Sequence, residues 1–115
     1  MSVNIYDSVN QVASDLTKTP QYMGVQNAFA ALKKDAIAFD LYEQFTGLQS
    51  KLHDTQMSGK EPEAEDMQKL QDLAKKMGSM EPIQNLMKAE QALNSLLNEI
   101  NGIILKPINA IYEEH

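Results

Sequence analysis

Cysteine is absent from the 115 residues, and with it go disulfides, thiolate nucleophiles and cysteine-ligated zinc or iron–sulfur clusters. Tryptophan and arginine are missing too, so all ten basic residues are lysine. The chain therefore lacks the planar guanidinium that grips phosphates and guanine edges in a bidentate way. Sixteen acidic residues set the net charge at −6, which repels a phosphate backbone unless cations cluster, and the lysines are dispersed. Nucleic acid is not an expected partner. The aliphatic run Ile103-Ile104-Leu105 falls far short of a membrane span, and the opening residues show no basic region followed by an apolar stretch. A cytoplasmic protein with no membrane association is the expectation.

Aromatic, Thr and Val residues are few, whereas Ala, Leu, Gln, Lys, Glu and Met dominate, a balance that favours helices over strands. A chain of this length fits one domain and hides roughly two thirds of the surface it would expose unfolded. The expected fold is all-α: a single helical domain over 1–115, an array of about five helices built on a long antiparallel helical hairpin.

Asn4 and Asp7 resemble a capping box, and Ile5, Val9, Val12, Ala13 and Leu16 recur at helical spacing, which predicts a first helix over about 4–18. Thr19-Pro20 is a restart signal, since Thr caps free N–H groups and Pro is tolerated at the first helical position. Tyr22, Val25, Ala28, Phe29 and Leu32 give the second helix its apolar face. Asp35 or Asp40 can cap a third helix over 36–57, with Ile37, Leu41, Phe45, Leu48 and Leu52 as its stripe and Ser58-Gly59-Lys60 as its end.

Pro62 opens a fourth helix with acids in its first turn, lysines in its last turn and Gly78 at its close, and with Met67, Leu70, Leu73, Ala74 and Met77 inward. Helices three and four then form the hairpin. Glu81-Pro82 starts the last helix, whose stripe runs from Ile83, Leu86 and Met87 through Leu93, Leu96, Leu97 and Ile100 to Ile103 and Ile104. Gly102 weakens that helix and Pro107 deprives the Ile103 carbonyl of its usual donor, so a bend is expected between 102 and 107.

No constellation carries catalysis. His53 stands without the second ligand of an HExxH or paired ExxH motif, and a partly exposed helix position near Lys51 and Asp54 is its expected setting. His115 is terminal and expected to be disordered. The five glycines, scattered singly at 24, 47, 59, 78 and 102, build no phosphate-cradling loop, and no GxSxG elbow is present. Glu61, Glu63, Glu65 and Asp66 crowd together, but on a loop and a first helical turn they read as solvated caps rather than an acid–base pair. No catalytic, metal or cofactor residues are expected. The seven methionines fit either gap-filling core positions or an adaptable binding surface, with core packing the expected reading and Met57 and Met80 set apart by flanking turns.

The last stretch is the most informative. Ile103, Ile104, Leu105, Ile108, Ile111 and Tyr112 point in too many directions for one face of a surface helix. Either this segment is buried in the bundle, or it packs against a second copy or another protein. Ile104, Leu105, Ile108, Ile111 and Tyr112 are accordingly the candidate self-association or partner-binding residues. With Lys106 its one cation, the segment is poorly suited to anionic lipid.

Gln56-Met57-Ser58-Gly59, Leu86-Met87-Lys88-Ala89-Glu90-Gln91, Leu97-Asn98-Glu99-Ile100-Asn101, Ile103-Ile104-Leu105-Lys106-Pro107 and the opening Val3-Asn4-Ile5-Tyr6-Asp7 resemble the YheA branch of the YheA/YmcA/YlbF family of small bacterial helical proteins. The resemblance runs nearly end to end. It implies a multi-helical, dimerising cytoplasmic protein of Gram-positive bacteria and does not imply an enzyme. The YmcA and YlbF relatives act in a complex that influences RNA processing, competence, sporulation and biofilm formation, partly through cysteine-bound iron–sulfur clusters, for which this chain has no thiolates. The expected role is a non-enzymatic protein-protein interaction or regulatory protein, homodimeric and with an unidentified protein partner. The alternative is an accessory of the RNA-processing machinery.

Overall fold

The computed structural model describes residues 3–113, so the expectation for His115 lies outside the described residues. The described residues form five helices and no strand: α1 (Ile5–Leu16), α2 (Pro20–Lys34), α3 (Ala36–Met57), α4 (Ala64–Met77) and α5 (Glu81–Glu113). Contacts group them into two compact units. One is Ala28–Met87, and the other joins the segment up to Asn27 with the segment from Lys88 onward.

The helix starts follow the sequence signals closely. Asp7 N–H donates to Asn4 Oδ1 at 3.3 Å, while the Asn4 side-chain amide donates to the Asp7 carboxylate at 3.0 Å, so each side chain of the expected box serves the other residue. Tyr22 N–H donates to Thr19 Oγ1 at 3.2 Å ahead of Pro20. Of the two candidates for α3, Asp35 is the cap, accepting from Ala38 N–H at 3.1 Å. Asp40 lies inside the helix, where it accepts from the Gln44 amide at 2.7 Å. The α4 helix starts two residues later than Pro62, because Glu63 is still extended at ψ 141° and takes the cap position, leaving Glu65 and Asp66 in the first turn.

The Ala28–Met87 unit contains the core. Leu32 from α2, Ala38 from α3, Leu73 and Met77 from α4, and Ile83 and Leu86 from the first turns of α5 are buried. Each large side chain so buried contributes about 1.5–3 kcal/mol relative to exposure. Phe29 stands edge-on to Phe39 and to Tyr42, with ring centroids 6.2 and 6.0 Å apart, and the Lys33 ammonium lies 4.9 Å from the centre of the Phe29 ring. Such edge contacts add about 0.5–1.5 kcal/mol each beyond burial.

In this unit α3 and α4 pack as the expected hairpin. Lys51, near the end of α3, meets Asp66, near the start of α4, at 3.1 Å, which fixes the two helices as antiparallel. The turn between them depends on Gly59. Lys60 N–H donates to the Thr55 carbonyl and Gly59 N–H to the Gln56 carbonyl, both at 3.1 Å, so the last carbonyls of α3 are satisfied in the pattern that needs a left-handed residue after the cap. Gly59 supplies it at φ +79°. Gly78 does not act this way, since it caps α4 at φ −61° in ordinary helical backbone.

The other unit comprises α1, the first half of α2 and α5 from Lys88. None of its described residues is fully buried. Leu16, Tyr22, Val25, Leu93, Leu96, Leu97 and Ile100 are half-buried. The α2 and α5 backbones approach closely at two small residues, where a β-carbon added to Gly24 would lie 4.0 Å from that of Ala89.

Several expectations about facing are corrected. Ile37 is 69% exposed, and the inward register of α3 starts one residue later at Ala38, which is small enough to be enclosed where the helix meets its neighbours. Ala74 and Met87 are exposed. The methionines are not mainly core: Met77 is buried and Met80 half-buried, while Met23, Met57, Met67 and Met87 face solvent. The α5 helix continues through Gly102 and Pro107, the stretch in which a bend is expected, as far as Glu113. Interior Gly and Pro cost roughly 1 and 3 kcal/mol relative to Ala, so this continuity needs support from outside the segment.

Replacing Gly59 by Ala is expected to destabilise the protein by about 1–2 kcal/mol, the cost of a β-carbon in left-handed backbone. Urea denaturation should show it as a lower midpoint at unchanged slope.

Candidate functional site

Two surfaces merit attention, one in each unit. In the Ala28–Met87 unit, α3, α4 and the loop between them border an open groove of about 570 Å³. Gln49, Leu52, His53 and Gln56 line it from α3, at the spacing of one helix face, and Pro62, Met67 and Leu70 line it from the loop and α4. Leu52 and Leu70 are half-buried, whereas Gln49, His53 and Gln56 are exposed on the rim. The acids that crowd in sequence do not converge into a pair. Glu61, Glu63 and Glu65 face solvent, and Asp66, at 18% exposure, is engaged by Lys51.

No group of three His, Asp or Glu side chains among the described residues is arranged to hold a metal ion. None of the described polar side chains is buried. What the groove offers is an apolar floor with amide and imidazole groups at its edge, suited to receiving side chains of another molecule. No site role was expected for Gln49, Gln56 or Pro62. The one-face spacing of Gln49 and Gln56 on α3 was visible in the sequence, but the groove between the two helices was not.

The second surface lies at the end of α5. From Asn101 to Glu113 every residue is exposed. Among the candidate residues, Ile104, Leu105 and Ile108 are about half exposed and Ile111 and Tyr112 more so, with Ile103 alongside at 71%. Of the two readings left open by the sequence, burial of this segment within the chain is the one that the structure removes. Ile5, Val9 and Val12, the residues that recur at helical spacing in α1, are likewise open over 45–62% of their surface. No helix among the described residues is long and apolar enough to cross a membrane.

With these features in view, the chain can be set beside known proteins. Residues 5–109 match the family model described as "Control of competence regulator ComK, YlbF/YmcA". The chain belongs to the YlbF/YmcA family. It is similar to a UPF0342 protein of Latilactobacillus sakei, with 49% identity covering 98% of this chain and 99% of the relative. It is 39% identical to a UPF0342 protein of Lactiplantibacillus plantarum, again over 98% and 99% of the two chains. A UPF0342 protein of Staphylococcus saprophyticus shares 38% identity, covering 99% of this chain and all of the relative. The fold is shared with a solved protein of unknown function (DUF964) from Bacillus stearothermophilus, at a TM-score of 0.85, 18% identity and 96% coverage of each chain. The all-α architecture and the family resemblance read from the sequence are thus both shown. Within this family member, the thiolates needed to hold an iron–sulfur cluster are absent from the sequence.

The Lys51–Asp66 pair frames the groove end of the hairpin, but the lysine is 63% exposed, so solvent screens much of the attraction. Lys51→Met is expected to cost less than about 1 kcal/mol, and the difference from wild type should vanish in thermal melts at molar salt.

Proposed function

We propose that this protein is a non-enzymatic regulatory protein of the cytoplasm that works by protein–protein contact, as a homodimer joined through the C-terminal part of α5. The observation that carries the reading is the exposure of Ile104, Leu105, Ile108, Ile111 and Tyr112 on a helical segment in which Lys106 is the one charged residue between Ile100 and Tyr112. Contiguous exposed apolar surface on this scale marks a contact site. The family description supports a regulatory role. It names control of a competence regulator. The hairpin groove, with its apolar floor and polar rim, is a second place where a protein partner would be received.

The surplus of sixteen acidic over ten basic residues, all lysine, favours partners other than nucleic acid. A role beside the RNA-processing machinery fits the same family and would run through protein contacts. Affinity capture from native lysate separates the two: recovery of ribonuclease or helicase subunits favours that second role, and their absence at mild salt removes it.

Light scattering on a size-exclusion column is expected to give twice the 12.9 kDa chain mass at tens of micromolar. Ile108→Glu should weaken the dimer at least tenfold, because a carboxylate buried in an apolar contact costs several kcal/mol. A wild-type mass of one chain would refute the dimer, and an unchanged mass for the variant would remove Ile108 from the contact.

A further inference from the structure

The α1 helix has the same deficit as the end of α5. It is twelve residues long and buries none of them. A helix of that length is marginal in water unless an apolar face is covered. Its face exists, since Ile5, Val9 and Val12 follow one another at spacings of four and three, but nothing among the described residues covers it. Residues 101–113 of α5 belong to the same compact unit, stay helical through Gly102 and Pro107, and are exposed on every side. A helix apolar all round requires neighbours on more than one side, so one copy of itself would leave part of it bare.

We propose that α1 is the second half of the self-contact: in the dimer, α1 of each copy lies along the C-terminal turns of the other copy's α5, and both segments owe their helical state to that cover. This rests on the dimer reading above. A second copy is the occupant that the surface fits. Between Ile100 and Tyr112 the only charged residue is Lys106, and the Ile5–Val9–Val12 face carries none, so a strongly charged partner finds no counter-charges there. The two uncovered segments sit on one chain, so a two-fold axis pairs each with the other reciprocally and leaves neither over. The area is sufficient as well. Ten exposed large apolar side chains on the two segments offer on the order of 800 Å² per copy at about 80 Å² each, the extent that one side of a stable complex covers.

Two measurements test this. The cysteine-free sequence allows single thiols to be placed at will, so Val9→Cys chains mixed with Ile108→Cys chains should be joined by a short bismaleimide into a mixed covalent dimer. Absence of that product overturns the pairing. In the second, hydrogen exchange is followed from 1 to 100 µM alongside sedimentation velocity. Amides of 5–16 and 103–112 should slow together as the dimer forms, and Val9→Glu should weaken association at least tenfold and release 103–112 while exchange in α3 and α4 stays as in wild type. If Val9→Glu leaves both the dimer and the 103–112 protection intact, α1 is not the cover and the dimer reading survives. A wild-type protein that stays monomeric at 100 µM overturns both.

Discussion

Six buried apolar side chains, contributed by four different helices, hold one half of this protein together, and the other half has no such set. Leu32, Ala38, Leu73, Met77, Ile83 and Leu86 all fall between Ala28 and Met87. Because no helix supplies more than two of them, the hairpin, the end of α2 and the start of α5 must be in place together for any of the six to be hidden. That shared requirement makes the unit cooperative. The caps and the Gly59 turn refine the arrangement by about a kilocalorie each. They decide where the helices begin and end, not whether they associate.

Local chemistry was highly legible in the sequence. Asn4, Thr19 and Asp35 act as caps, Gly59 takes the left-handed turn, and the Ala36–Met57 bounds of α3 are those the residues imply. These features are set within four or five residues, so a one-dimensional pattern contains them. Facing was less legible. Ile37 and Ala38 both suit a stripe, and the choice between them depends on where α2, α4 and α5 stand, which no local pattern encodes. The methionines misled for a related reason: their composition fits a core, while Met23, Met57, Met67 and Met87 are exposed, Met67 in the lining of the hairpin groove.

The candidate surfaces divide the same way. The apolar excess of 103–112 was visible in sequence because it exceeds what one face can use. The α1 stripe looked like an ordinary inward face, and its exposure became apparent only with the fold. Pro107 shows what sequence rules omit. They correctly assign a cost to proline in a helix interior, yet α5 passes through it. A local penalty of this size is tolerated only where contacts made elsewhere exceed it.

A chain that needed only to be stable would not keep thirteen exposed residues helical across a glycine and a proline while leaving six large apolar side chains among them in water. Lysines and acids are dispersed over the rest of the sequence, so the concentration of aliphatic residues towards one end of the chain is not forced by composition. It is consistent with a division of labour along the chain, in which Ala28–Met87 folds around its own core and the remainder is completed by contact. Association would then govern the order of half the molecule, and a regulator built this way could respond to its own concentration without any catalytic group.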